Sequence, residues 1–197
     1  MQNPANATNP TDTDTIDPAA TDPAATGPAA TIPQGDLRLL HTDAARELLA
    51  SSIPARLAYV APDGTPRVVP TWFEWNGTEI VMATYVTGPA AGVRHPAARL
   101  RALRANPAVA LTIDTESFPP RSLTIRGRAE IDEVEGLAPE YRTSARRYLG
   151  DEGAAGLLAA MDQPGTVQAR IVVRPTWVGL LDFAERLPSP LGGVTAT

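Results

Sequence analysis

Residues 62–85 read "PDGTPRVVPTWFEWNGTEIVMATY" and hold two turn signals between runs in which apolar and polar residues alternate. The first signal is "PDGT" at 62–65, and the second is Asn76-Gly77. An Asn-Gly pair between alternating runs is the strongest short-range mark of a β-hairpin, because both residues tolerate the positive φ of a two-residue turn. With the preceding run "RLAYVA" (56–61), this stretch predicts three consecutive strands, the second of them covering 66–75.

The same period of two returns further along the chain. "AVALTID" (108–114) and "SLTIRGRAEIDEV" (122–134) each predict a strand, and "TVQARIVVRPTWVGLLDF" (166–183) predicts one or two strands that close the sheet. In the run 122–134, one face is apolar and the other is charged, which is typical of an antiparallel sheet with one buried face.

Three stretches predict helices instead. Thr42 can cap a helix that buries Leu48, a short helix is expected over 96–105, and another over 138–150 can continue through 152–161. A doubly wound sheet would need a helix after nearly every strand. The pattern therefore predicts a mainly β fold, a six- or seven-stranded antiparallel barrel with a few short helices.

The composition excludes several kinds of chemistry. The chain has no cysteine, and all 17 basic residues are arginines, so thiol catalysis and lysine Schiff bases are ruled out. The only histidines are His41 and His95, too few for a histidine-rich metal site, and we expect no metal. No stretch approaches the roughly 18 apolar residues of a membrane span, and the N-terminus has no basic start followed by an apolar segment. These features predict a cytoplasmic protein that does not bind membranes.

The first 35 residues are rich in proline, alanine and threonine and hold almost no bulky apolar side chains. We expect residues 1–35 to be a disordered tail, 36–187 to be one globular domain, and 188–197 to be a flexible C-terminal tail. The tail carries four aspartates and no basic residue, so removing it from the net charge of −5 leaves −1. Such a near-neutral body has no general attraction for nucleic acid, and any anion must be held by a local cluster.

Arginines gather at the beginning of the predicted helix 96–105. Pro96 suits a first helical turn, whose free N–H groups and positive dipole end favour an anion, and Arg99 lies in that turn. Arg101 projects from another side of the helix, and Arg104 is expected to meet solvent. The alternative is a surface helix with three solvated arginines.

Pro70 lies in the middle of the predicted strand 66–75, where a central strand would lose a ladder hydrogen bond. The strand is therefore an edge or is bulged there, or its backbone groups serve a ligand. Trp72 beside Thr71 could line an aromatic ring system, and the alternative for Trp72 and Trp75 is core packing.

Over about residues 36–185, the order of these parts resembles the flavin-binding split barrels related to pyridoxamine 5′-phosphate oxidase. That family shows a lysine or arginine, one residue, an arginine, then "NL" or "AL", and "NP" or "DP" before a strand. Arg99, Arg101, Leu103 and Asn106-Pro107 match this pattern. The resemblance implies a homodimeric split β-barrel of the FMN-binding type, with a flavin-type cofactor in each of two clefts at the subunit interface.

The resemblance also implies which residues hold the cofactor. The phosphate would contact Arg99 and Arg101 on the helix, and Thr84 and Tyr85 at the end of the preceding strand. The ring system would lie near Arg67, with Trp177 of the other subunit closing the cleft. The residues along which the ring would lie are Val69, Pro70, Thr71 and Trp72.

Two features depart from the family pattern. The loop 86–98 is longer than usual and adds Arg94 and His95 near the phosphate end; a plain surface role also explains His95. The C-terminal part lacks the tryptophan and arginine with which pyridoxamine phosphate oxidases hold their substrate's phosphate, which argues against that activity.

Related members of the family use the deazaflavin coenzyme F-420 instead of FMN, and the lysine-free composition, rich in alanine, arginine and proline, is similar to that of proteins from high-GC sources. The expected cofactor is therefore coenzyme F-420 or FMN. The resemblance then implies an oxidoreductase that transfers a hydride to or from a small planar or conjugated molecule. Tyr85 and Glu74 are the nearest proton donors by sequence, although Glu74 also fits a solvated strand residue. The catalytic residues stay unassigned. A non-catalytic carrier of a flavin or haem, or a barrel with an empty cleft, are the alternatives.

Overall fold

A computed structural model describes residues 32–88 and 97–183 of the chain. The predictions for residues 1–31, for the loop that holds Arg94, His95 and Pro96, and for the C-terminal tail lie outside the described residues.

Within these ranges, seven antiparallel strands form one sheet in the order β2-β1-β5-β6-β7-β4-β3. The strands are β1 (Ala55–Val60), β2 (Pro66–Thr71), β3 (Glu74–Trp75), β4 (Ile80–Thr87), β5 (Ala108–Asp114), β6 (Arg121–Glu135) and β7 (Val167–Asp182). The helices are α1 (Asp43–Ala50), α2 (Ala98–Ala105) and α3 (Pro139–Met161), and a 3₁₀ helix covers Leu37–His41. The predicted fold, a mainly β split barrel with short helices, is confirmed.

The barrel interior is filled by the inward-facing residues of the alternating strands. Their side chains are fully buried, so the barrel has a packed core rather than a pore. The largest of them are Leu57, Phe73, Ile80, Met82, Leu111, Ile113, Leu123 and Ile125.

The strand predicted over 66–75 is in fact two strands. β2 pairs with β1 at one edge of the sheet, and β3 pairs with β4 at the other, with Trp72 and Phe73 between them. The alternation nevertheless continues through the break, because Val69, Phe73 and Trp75 all contact the interior cluster. The position of Pro70 on an edge strand explains how the sheet accommodates it.

Thr42 precedes α1 as predicted, but it does not cap the helix with its side chain. Its hydroxyl instead donates to the Leu39 carbonyl, 2.7 Å away, and so closes the preceding 3₁₀ helix. α1 is held by packing, because Ala45, Leu48 and Leu49 are all buried.

α3 has two helical halves that meet at Gly150, whose φ of 72° favours glycine. Residues of α3 and of the segment before it form a second apolar cluster outside the barrel, against Trp72 and Tyr85. The buried members of this cluster are Leu137, Ala145, Ala154 and Leu158.

Residues 32–35 belong to the barrel, although the sequence places them in the predicted tail. β4 pairs only with the first half of β7, up to Val173, and Gln34 covers part of the second half. The Leu180 N–H donates to Gln34 Oε1 (2.8 Å), and Gln34 Nε2 donates to the Leu180 carbonyl (2.6 Å). The Gly35 N–H donates to the Val178 carbonyl (2.7 Å). The ordered barrel therefore begins before residue 36.

Candidate cofactor site

Arg99 lies in the first turn of α2 and is half-buried. Leu100, Ala102 and Leu103 fix the helix to the barrel by packing inward. The Arg99 Nε atom is buried, and the guanidinium has neither a hydrogen bond nor an ion pair within the described ranges. Burial lowers the pKa of Arg99 below its usual value, and the neighbouring Tyr59 opposes this shift. Burying a cation, even in part, without a counter-ion is costly.

A hollow of about 300 Å³ lies between the start of α2 and the hairpin that joins β1 to β2. Arg67, which the sequence places near the cofactor, lines this hollow and forms an ion pair with Asp63 at 3.1 Å. Tyr59 belongs to the same lining, and it is also the residue whose electrostatic effect raises the pKa of Arg99. The structure thus brings Arg67 close to the first turn of α2. The other lining residues are Ala61, Pro62, Ala98 and Ala102.

The hollow also holds a negative charge. Asp63 accepts hydrogen bonds from the Thr65 hydroxyl (2.5 Å) and the Thr65 N–H (3.0 Å), and these bonds hold its pKa below the usual value. Asp63 is therefore ionised at neutral pH. An incoming anion would have to draw Arg67 away from this carboxylate.

The other two arginines of α2 differ from Arg99. Arg101 is exposed, and no described residue forms an ion pair with it. Arg104 is half-exposed and pairs with Glu133 of β6 at 2.6 Å. Of the three, only Arg99 combines burial with the lack of a partner in the described chain.

The residues predicted to lie along the ring are on the β2 edge strand and just after it. Val69 faces the interior cluster, whereas the neighbouring Pro70 is exposed on the opposite face. Thr71, half-buried, is opposite Ala55 of β1. Trp72 packs against α3, with its ring stacked on Tyr148 at a centroid distance of 5.0 Å.

The strand β4 carries the two remaining phosphate candidates. Thr84 is opposite Ala169 of β7, and Tyr85 packs edge-on against Tyr141 of α3 at 6.0 Å. The Tyr85 hydroxyl is buried and has no hydrogen-bond partner among the described residues; burial is the main cause that raises its pKa. Tyr85 and Trp72 thus share the cluster under α3, whereas Arg67 and the start of α2 border the hollow.

Trp177 is half-buried in the second half of β7. The Arg126 guanidinium lies over its ring, 4.1 Å from the centroid, and the indole is so close to Gly35 and Gly179 that a Cβ at either position would clash. A Cβ on Gly35 would be 2.8 Å from the indole Nε1. These contacts fix the orientation of the Trp177 ring on the barrel.

The sequence alone gives a different role for Arg147: "YRTSARRYLG" (141–150) carries Arg142, Arg146 and Arg147 on about one face, which predicts a solvated helix face. Arg147 is half-buried and donates to the carbonyls of Leu49 (3.2 Å) and Phe73 and to the Glu74 carboxylate (3.2 Å). A polar face on α3 gives no signal of this role, because the partners lie on α1 and β3 and in the link between β2 and β3.

Glu74 is correspondingly not the solvated strand residue that the sequence allows. Its side chain is about one-fifth exposed, at 22%, and is paired with Arg147. Burial raises its pKa above the usual value, with Arg147 opposing this shift and Glu140 adding to it.

Within the described ranges, no group of three or more histidine, aspartate or glutamate side chains is placed to hold a metal ion. None of the helices described has the length and apolarity that a bilayer crossing requires.

Comparison with known proteins defines the class of this barrel. The sequence model of the pyridoxamine 5′-phosphate oxidase family matches residues 41–180. A solved F-420 reductase is 30% identical, with a match that covers 68% of this chain and 94% of that chain at a TM-score of 0.50. The chain belongs to the pyridoxamine 5′-phosphate oxidase family.

Two further solved structures are more distant. A conserved hypothetical protein from Mycobacterium tuberculosis is 24% identical, over 72% of this chain and 84% of that chain, with a TM-score of 0.49. General stress protein 26 from Bacillus anthracis is 15% identical, over 74% and 95%, with a TM-score of 0.48. No curated protein matches the sequence.

Proposed function

We propose that this protein binds coenzyme F-420 or FMN and transfers a hydride between that cofactor and a small planar or conjugated molecule. The observation that carries the proposal is the Arg99 guanidinium, half-buried in the first turn of α2 and without a partner among the described residues. A phosphate group supplies the charge and the hydrogen-bond acceptors that this side chain lacks.

The start of α2 supports the same assignment. The residue before the helix is Ala97, which has no side chain to cap the free N–H groups of the first turn. Such a helix start, beside an arginine that has no partner in residues 32–88 and 97–183, suits a phosphate better than any neutral group. We assign Arg101, Thr84 and Tyr85 to the phosphate as well.

The ring system is proposed to lie along Val69, Pro70, Thr71 and Trp72, with Arg67 near it. We further propose that two copies of the chain form a homodimer and that Trp177 of the second copy closes the cleft. The cofactor, when bound, would supply the hydride, and the residues of this chain would hold its phosphate and exclude water.

Coenzyme F-420 and FMN are the two candidates for the cofactor, and a binding experiment distinguishes them. The likeness to an F-420 reductase supports coenzyme F-420, and FMN also carries a phosphate group and has a tricyclic ring of similar shape. The experiment is a fluorescence titration of the purified protein with each cofactor, and we expect one of them to bind at micromolar concentration or below.

Arg99→Ala should weaken that binding by about 1.5–3 kcal/mol, the range for a charge-assisted hydrogen bond. Arg104→Ala is the matched control, since Arg104 is on the same helix but is paired with Glu133. Equal losses in the two variants, or an unchanged dissociation constant for Arg99→Ala, would remove Arg99 from the site.

Transfer of a hydride is tested separately from binding. An enzyme oxidises its reduced cofactor faster when a suitable acceptor is added, whereas a carrier binds tightly and shows no dependence on the acceptor. Absence of binding by both cofactors would contradict the proposal altogether.

A further inference from the structure

We infer that a cavity at the β2 edge is the binding site for the hydride partner and that its charges select a planar molecule without a carboxylate or phosphate group. This inference rests on the proposed function, because it takes the cofactor ring to lie along β2. The cavity has a volume of about 400 Å³. It is lined by Ser52, Ile53, Pro54, Arg56, Pro70, Asp114 and Glu116.

The register of the sheet places this cavity beside the proposed ring position. Arg56 of β1 is directly opposite Pro70 of β2 and directly opposite Thr112 of β5. Side chains of opposed residues point to the same face of a sheet, so Arg56 stands beside Pro70 on the outer face. A molecule that exchanges a hydride with the ring must approach it to about 3–3.5 Å, and this cavity borders the strand on which the ring is proposed to lie.

The walls of the cavity are of two kinds. Ile53, Pro54 and Pro70 give it an apolar side that suits a ring or another planar group. Arg56 and Asp114 give it a polar side and form an ion pair with each other. A site with apolar walls and a few placed polar groups is typical of small-molecule binding.

The charges of the lining decide which molecules are favoured. Arg56 already forms an ion pair with Asp114, so its guanidinium is not free to bind an anion. Glu116 adds a second carboxylate, with no ion pair to any described residue. One guanidinium and two carboxylates give the lining a net charge of −1. A carboxylate or phosphate on the partner is repelled, whereas a neutral or positively charged planar molecule is not.

The test uses three probes of nearly equal size and shape that differ in charge: benzamidine, benzamide and benzoate. Their affinities for the cofactor-loaded protein are measured by ligand-observed NMR. We expect benzoate to bind about 25-fold more weakly than benzamidine, because the two probes differ by two unit charges and each unit charge at about 4 Å in a solvated site changes the affinity about fivefold. Equal binding, or the tightest binding by benzoate, would overturn the inference.

Variants locate the selectivity in the cavity. Glu116→Gln should raise the affinity for benzoate about fivefold and lower the affinity for benzamidine about fivefold, so that their ratio approaches one. Asp114→Asn frees the Arg56 guanidinium and should raise the affinity for benzoate by at least as much. Glu135→Gln is the matched control, because Glu135 is an exposed carboxylate at the far end of β6. If Glu135→Gln reduces the ratio of the benzamidine and benzoate affinities as much as Glu116→Gln does, the net charge of the protein, not the cavity, selects the probe.

A last variant and a spectroscopic measurement separate this inference from the proposed function. Ser52→Trp fills the cavity from an exposed position and should abolish benzamide binding. In the wild-type protein, benzamide should shift the absorbance spectrum of the bound cofactor, because the two lie in contact. If the cofactor binds but benzamide leaves its spectrum unchanged, the inference fails while the proposed function stands. If neither cofactor binds, the titration alone shows that the proposed function has failed, and the inference fails with it.

Discussion

Arg147 and Arg99 are both half-buried arginines on helices that pack against the barrel, and they differ in what surrounds their terminal nitrogens. In Arg147, these nitrogens donate to two backbone carbonyls and to the Glu74 carboxylate. In Arg99, they have no hydrogen bond to any residue of the described chain, although the Nε of each arginine is buried. Burial alone therefore does not distinguish the two arginines; their partners among the described residues do.

The largest effect expected from this comparison is at Arg147. Arg147→Met leaves the carbonyls of Leu49 and Phe73 without their donor and the half-buried Glu74 carboxylate without its counter-charge. We expect the free energy of unfolding to fall by about 3 kcal/mol, as measured by urea denaturation. Arg146→Met, on an exposed neighbour, should have little effect. Similar values for the two variants would show that Arg147 does not fasten α3 to the barrel.

A smaller effect of opposite sign is expected at Arg99. Arg99→Met removes a buried cation that has no partner in the described chain and keeps most of the apolar volume of the side chain. In the cofactor-free protein, we expect the free energy of unfolding to stay the same or to rise by up to about 1 kcal/mol. A loss as large as that of Arg147→Met would mean that Arg99 is structural, and the comparison would fail.

The smallest expected effect is on the pH dependence of the free energy of unfolding, and it comes from the titration of Glu74. Its pKa in the folded protein lies above the usual 4.5, mainly because burial disfavours the charged carboxylate. The folded state therefore holds this proton more tightly than the unfolded state, and stability is lost as the pH rises from about 4.5 through the raised pKa. Glu74→Gln removes this term, so its stability relative to wild type should increase between pH 4 and pH 7. Urea titrations at several pH values measure it, and a constant difference would contradict the assigned direction.

The sequence predicts the strands well because their pattern is local. Asn76-Gly77 and the alternation in 108–114 and 122–134 are properties of neighbouring residues, and each corresponds to an observed turn or strand. The break at Trp72 and Phe73 was not predictable in the same way. The break arises because β2 and β3 pair with different strands at opposite edges of the sheet. The sequence of one strand does not determine which other strand it pairs with.

In the candidate site, too, the local sequence predicts some features, and only the whole fold determines the others. The position of Arg99 in the first turn of a helix follows from Pro96, which suits a helix start, and the structure has α2 begin at Ala98. Its lack of partners depends on the whole fold and cannot be inferred from the helix alone. The role of Arg147 depends on contacts with Phe73 and Leu49, which are 74 and 98 residues away in the sequence. The local sequence of α3 contains no sign of these contacts, so its three arginines predict only a solvated face.

Gln34 has a consequence for the association of the protein with itself. The exposed edge of a sheet is a template on which another chain can add a strand, and the amide of Gln34 occupies part of that edge on β7. A chain shortened to begin at Asp36 would keep its core but leave the Leu180 backbone unpaired and one side of the Trp177 indole uncovered. We expect such a chain to elute as larger oligomers than the full chain in size-exclusion chromatography, because the β7 backbone groups that Gln34 and Gly35 bind would be free to pair with another copy.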